Sequence, residues 1–168
     1  GMAGVLDSAR LRFFIAEELH VSPNVVEAMT LGSHGDSMVA LPRHASVNGR
    51  PLPDLVDGGT LERLFQRTRD GGAEVVALLK SGSAYYAPSA SVTAMVRAIA
   101  TDSHEVLPVC AWVSGQYGIE DVYVGVPARL GSKGVEEIVE LDVNDDELAR
   151  LRAAAEGIRA KCADLAVL

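Results

Sequence analysis

Three side chains of this sequence have the types and spacing that acid–base chemistry needs. His34 stands in Gly32-Ser33-His34-Gly35-Asp36, where the glycines allow a tight turn and leave the imidazole unobstructed. Histidine titrates near neutral pH, so it can give or take a proton where a reacting oxygen changes charge. Taken alone, it reads as an ordinary turn histidine. Asp7 and Arg10 are three apart on an apolar-striped segment and so share one helix face. A partly buried carboxylate there holds an imidazole in one tautomer and favours its charged form. The guanidinium beside it offers a planar fork to a substrate carboxylate. Taken alone, this pair reads as a surface ion pair of little value to stability.

The elements that must position these residues follow from periodicity. Leu6, Leu11, Phe14, Ile15 and Leu19 recur at helical spacing, predicting an amphipathic helix over Val5–Leu19 that Ser22-Pro23-Asn24 breaks. A strand is expected over Val26–Leu31, ending in the turn that carries His34, and a second over Met38–Leu41. Asn48-Gly49 signals a hairpin. A long helix is expected over Thr60–Lys80, kinked near Gly71-Gly72, and another from Pro88 to about Thr101. Val106–Val113 and Asp121–Leu130 read as strands joined across Gly115–Gly118. After the turn Gly131–Gly134 comes a strand over Val135–Leu141. The last helix starts at Asn144, with Glu147 completing a capping box and Leu148, Leu151, Ala155, Ile158, Cys162 and Leu165 on one stripe. The expected fold is α+β, an antiparallel sheet packed by helices.

Bulk properties bound the function. One domain spans residues 1–168, long enough to bury a genuine core, with 48% hydrophobic and 23% charged residues. A net charge of -8 argues against nucleic acid and anionic membranes as partners, since both require basic patches. No apolar run reaches the length of a membrane span. Cys110 and Cys162 are flanked by apolar residues and read as buried free thiols, as in a reducing cytoplasm. His20, His44 and His104 lack carboxylate or histidine partners at ligand spacing, so no metal site is expected. Gly131-Ser132-Lys133-Gly134 is too short for a phosphate loop, and no G-x-G-x-x-G fingerprint occurs. The acidic run Asp142–Glu147 suits a helix start.

Together, Gly4-Val5-Leu6-Asp7-Ser8-Ala9-Arg10 and Gly32-Ser33-His34-Gly35-Asp36 resemble the active-site motifs of the lactate/malate dehydrogenase family. That family carries L-D-x-x-R on a helix and then G-x-H-G-D. Gly1-Met2-Ala3-Gly4 and Gly82-Ser83-Ala84-Tyr85-Tyr86-Ala87-Pro88 resemble the malate branch. The likeness covers essentially all of this chain but only the carboxy-terminal half of a family member. Leu11 departs from a common phenylalanine and Ser33 from a common glycine.

The resemblance implies the substrate and catalytic half of an NAD-dependent malate dehydrogenase of the tricarboxylic acid cycle, in the cytoplasm. It implies His34 as proton donor and acceptor, Asp7 as its orienting partner, and Arg10 as the ligand of the α-carboxylate of a small dicarboxylate. Ser83 would line the substrate pocket. NAD would be held by an amino-terminal domain that this sequence does not contain, so the chain alone is expected to be inactive. A homo-oligomer is expected, with the helix over Thr60–Lys80 resembling a subunit-contact helix. The alternatives are a binding or oligomerisation module without catalysis, or half of a lactate or other 2-hydroxyacid dehydrogenase.

Overall fold

A computed structural model of the chain describes residues 1–165. It is built from four helices and eight strands: α1 (Ala3–Glu18), β1 (Val26–Glu27), β2 (Thr30–Gly32), β3 (Met38–Ala40), β4 (Ser46–Val47), β5 (Arg50–Pro51), α2 (Gly58–Leu79), α3 (Tyr86–Ala100), β6 (Glu105–Val113), β7 (Val122–Gly131), β8 (Gly134–Ile138) and α4 (Asp145–Leu165). All strand pairs are antiparallel, and the α+β architecture expected from the sequence is what forms.

The main sheet has the order β3-β2-β7-β6, with β8 joining β7 at Ala128–Gly131. Its long hairpin, β6–β7, buries one face along most of its length and the other in its middle, at Pro108 and Pro127, where α1 packs. Val122, Val124, Val126, Ala128 and Leu130 are buried at a period of two, while Trp112 and Tyr123 stack edge-to-face on the outer side. Leu151 and Ala155 of α4 and Ala98 of α3 complete this core. A second core joins Leu11, Phe14 and Ile15 of α1 to Leu64 and Phe65 of α2 and to the small β1-β4-β5 sheet. Leu11, where a phenylalanine is common, is fully buried there.

Four expectations are corrected. The strand predicted over Val26–Leu31 is two strands, because β1 pairs with β4 while β2 pairs with β3 and β7: the chain changes sheets at Ala28-Met29. Helix α2 runs unbroken through Gly71-Gly72. Strand β8 stops at Ile138, where the chain turns to Tyr117: Glu140 accepts the Tyr117 N–H, and the Leu141 N–H donates to the Tyr117 hydroxyl. Cys110 is only half-buried and Cys162 is exposed, since α4 carries no buried residue beyond Ala155. The capping box is present: Asn144 Oδ1 accepts the Glu147 N–H and Glu147 Oε2 accepts the Asn144 N–H, each at 2.9 Å. Such a cap contributes about 1 kcal/mol.

Candidate active site

Asp7 lies in the second turn of α1 and His34 just past the end of β2. Gly32 and Gly35, at φ of +83° and +86°, adopt the left-handed backbone that L side chains avoid. The turn they permit is closed by the Met38 N–H donating to the Gly35 carbonyl at 2.9 Å. It returns the chain into β3 and lifts His34 off the sheet, half-exposed, toward α1. There His34 Nδ1 meets Asp7 Oδ2 at 2.8 Å, across 27 residues of sequence. Since an ionised carboxylate only accepts, this geometry puts the proton on Nδ1. Among the described residues no hydrogen bond engages Nε2, which is left for a ligand.

The carboxylate is 3% exposed, and burial pushes the Asp7 pKa above its ordinary value. The hydrogen bond from His34, then the charges of His34 and Arg10, oppose that rise. Arg10 Nη1 sits 3.6 Å from Asp7 Oδ1, too long for a good hydrogen bond, and it is buried with no hydrogen-bond partner among the described residues. A buried guanidinium nitrogen with unspent donors is a ready receptor for a carboxylate. Its stem lies against α2: a Cβ built on Gly71 would come within 3.1 Å of Arg10 Cδ. Gly71, read from the sequence as part of a kink, therefore makes room for Arg10, a role that spacing alone did not reveal.

Ser83 lies apart. It is exposed on the loop after α2, where its hydroxyl donates to the Ala84 carbonyl at 3.4 Å, and no hydrogen bond among the described residues links it to Asp7, Arg10 or His34. A groove of about 900 Å³ opens between α1 and α3, lined by Val5, Ala9, Arg12, Phe13, Ala90 and Ala94. It reaches Arg10 but neither Asp7 nor His34. The acid–base pair therefore sits outside it, on the open end of β2.

His104 needs correction too. Sequence spacing left it without carboxylate partners, yet Glu136 Oε2 lies 2.7 Å from its Nδ1 and Asp102 Oδ2 lies 3.7 Å from its Nε2. Left-handed backbone at Asp102 and His104 folds the first pair together, and β8 brings Glu136 to them. Their ligand-type atoms lie within 4.8 Å of one another, the reach of a single cation, on open surface.

Residues 4–166 match the family model described as the lactate/malate dehydrogenase alpha/beta C-terminal domain. Over 159 residues, 95% of this chain and 49% of the relative, the chain is 52% identical to a malate dehydrogenase of Nostoc punctiforme. The structure superposes on a malate dehydrogenase from Salinibacter ruber with a TM-score of 0.97 at 46% identity, covering 100% of this chain and 55% of that one. A lactate dehydrogenase from Eimeria maxima, solved with NADH and oxamate, gives a TM-score of 0.94 at 37% identity, covering 99% and 54%. The chain thus spans about half the length of the relatives it matches.

Proposed function

The chain belongs to the lactate/malate dehydrogenase family, and we propose that it is the substrate-binding and proton-transfer half of an NAD-dependent malate dehydrogenase, interconverting malate and oxaloacetate. The 2.8 Å contact between His34 and Asp7, with the unspent Arg10 guanidinium beside it, carries this reading. Arg10 binds the substrate α-carboxylate through its planar fork and fixes the C2 oxygen near His34. His34 protonates that oxygen on reduction and takes the proton back on oxidation, while Asp7 holds the tautomer and stabilises the imidazolium. No phosphate-binding glycine turn occurs in this chain, so its residues do not fit NAD. The cofactor, source of the hydride, belongs to the amino-terminal domain in this proposal. Malate is supported over lactate by the 46% identity to the Salinibacter malate dehydrogenase against 37% to the Eimeria lactate dehydrogenase. This reading places the protein in carboxylic acid metabolism of the tricarboxylic acid cycle, in the cytoplasm. Ser83 is proposed to line the pocket once that domain is in place.

The test joins this chain to the NAD-binding domain of a relative and follows NADH absorbance with oxaloacetate and with pyruvate. Turnover of oxaloacetate, lost in His34→Asn, is expected, and none from the chain alone. Turnover by the isolated chain that disappears in His34→Asn would overturn the division of labour. Preference for pyruvate would make it the lactate half. A homodimer is also proposed, supported by the groove between α1 and α3 and by exposed Phe13, Val92 and Val96 beside it. Light scattering that reports one chain at all concentrations would exclude it.

A further inference from the structure

We propose that Ser8 and Thr30 are a positioning pair that sets the tautomer of His34 by fixing α1 against β2. The proposal rests on reading Asp7 and His34 as the proton-transfer pair. Those two residues lie on different elements, and a 2.8 Å contact persists only if α1 and β2 keep their register. Strand β2 is three residues long; the sheet pairs it with β3 along its length and with β7 at Gly32–Gly125, but ties none of it to α1. What ties β2 to α1 is buried and polar. Thr30, fully buried and four residues before His34, donates its N–H to Ser8 Oγ at 3.0 Å. The two hydroxyls lie 3.1 Å apart, and Thr30 Oγ1 donates to the Gly4 carbonyl at 3.4 Å. The proton order then closes without a spare: the Thr30 hydroxyl serves Gly4, and the Ser8 hydroxyl serves Thr30.

A helical serine ordinarily bonds back to the carbonyl four residues before it. Here Thr30 takes that carbonyl, and Ser8 turns its hydroxyl to the strand. Ser8 is the neighbour of Asp7, so the clamp grips α1 at the carboxylate that must face His34. Among the described residues neither hydroxyl bonds to His34 or Arg10, so their effect passes through Asp7.

The ring nitrogens of His34 report the effect directly. In the chain labelled with nitrogen-15 at histidine, chemical shifts give the ratio of Nδ1–H to Nε2–H forms, with His34 identified by its loss in His34→Gln. Thr30→Val keeps the shape but removes two of the three bonds; it should lower that ratio about threefold or more, because an imidazole that loses its fixed acceptor is free to place its proton on either nitrogen. Thr30→Ser keeps the hydroxyl and should retain the parent ratio. Ser8→Ala removes the acceptor of the Thr30 N–H and should lower it further, in a chain whose amide spectrum stays dispersed. An unchanged ratio in Thr30→Val, or a fall in Thr30→Ser as large as in Thr30→Val, would overturn the proposal. Asp7→Asn separates the two ideas. If it leaves the ratio unchanged, the Asp7–His34 reading has failed. If it inverts the ratio while the hydroxyl variants do nothing, only the clamp has failed.

Discussion

The molecule holds two histidine–carboxylate contacts of nearly equal length: His34 to Asp7 at 2.8 Å and His104 to Glu136 at 2.7 Å. Distance does not separate them; solvent does. The Asp7 side chain is 4% exposed, that of Glu136 30%, and Asp102 beside it 51%. In the buried pair the perturbed group is the carboxylate, whose pKa rises because burial disfavours its charge. In the open trio the imidazole pKa rises through its hydrogen bond to Glu136 and then the charges of Glu136 and Asp102, while the Ser132 N–H lowers that of Asp102. A buried carboxylate is costly and orients what it touches. An exposed one neutralises its partner at little expense.

Activity should part the two most widely. In the joined enzyme, Asp7→Asn should lower turnover by about 10²–10⁴-fold, the usual range for a positioned proton-transfer group. Glu136→Gln should leave it unchanged. Equal losses would show that contact geometry, not burial, sets the function. The arginines beside the two pairs extend the contrast. Arg10→Lys loses the planar fork and, at about 1.5–3 kcal/mol for a hydrogen bond to a charged group, should raise KM for oxaloacetate by about 10–100-fold. Arg129→Lys, whose Nε bonds the exposed Glu137 at 3.0 Å, should leave KM alone.

The same contrast explains what could be read from the sequence. Asp7, Arg10 and His34 were legible because each sits beside a local signal: a helical i,i+3 pair and a glycine-flanked turn. Their convergence was supplied by resemblance, since 27 residues separate Asp7 from His34. The α4 capping box and the β6–β7 alternation were legible because both are local patterns. The Asp102–His104–Glu136 trio was not, since its closure depends on left-handed backbone at two non-glycine residues and on the β7–β8 turn. Ser8 and Thr30 gave no signal either: small hydroxyl residues in a helix and a strand look the same whether they face solvent or each other. The predicted kink at Gly71-Gly72 failed because a helix glycine records missing space as readily as a bend.

Burial of Asp7 should leave its own mark on how stability varies with pH. Its folded pKa lies above the unfolded value, so its contribution is complete below the unfolded pKa of about 3.9 and is lost as pH rises through the folded one. Relative to Asp7→Asn, the parent chain should lose stability as pH rises above about 3.9 and through the folded value. The absolute offset between the two also reflects Arg10, left without its neighbour, so the slope is the measurement. Urea midpoints at several pH values give it; parallel curves for the two chains would mean that Asp7 is not strained by its burial.

The smallest effect belongs to the open trio, and it runs in the same direction for a different reason. His104 has a folded pKa raised above the unfolded value of about 6.5, so the contribution of its charge is complete below that pH and lost as pH rises through the folded value. His104→Gln should therefore narrow the difference in urea midpoint between pH 6 and pH 8, and only slightly, because exposed ion pairs contribute little. Salt decides whether solvent is the reason. At about 1 M salt the Debye length falls to about 3 Å, so the difference contributed by His104 should shrink. The slope assigned to Asp7 should persist in the same buffer, since desolvation of a buried carboxylate is not a screened interaction. If salt instead erased the Asp7 slope and spared the His104 difference, the two contacts would have been distinguished by the wrong property.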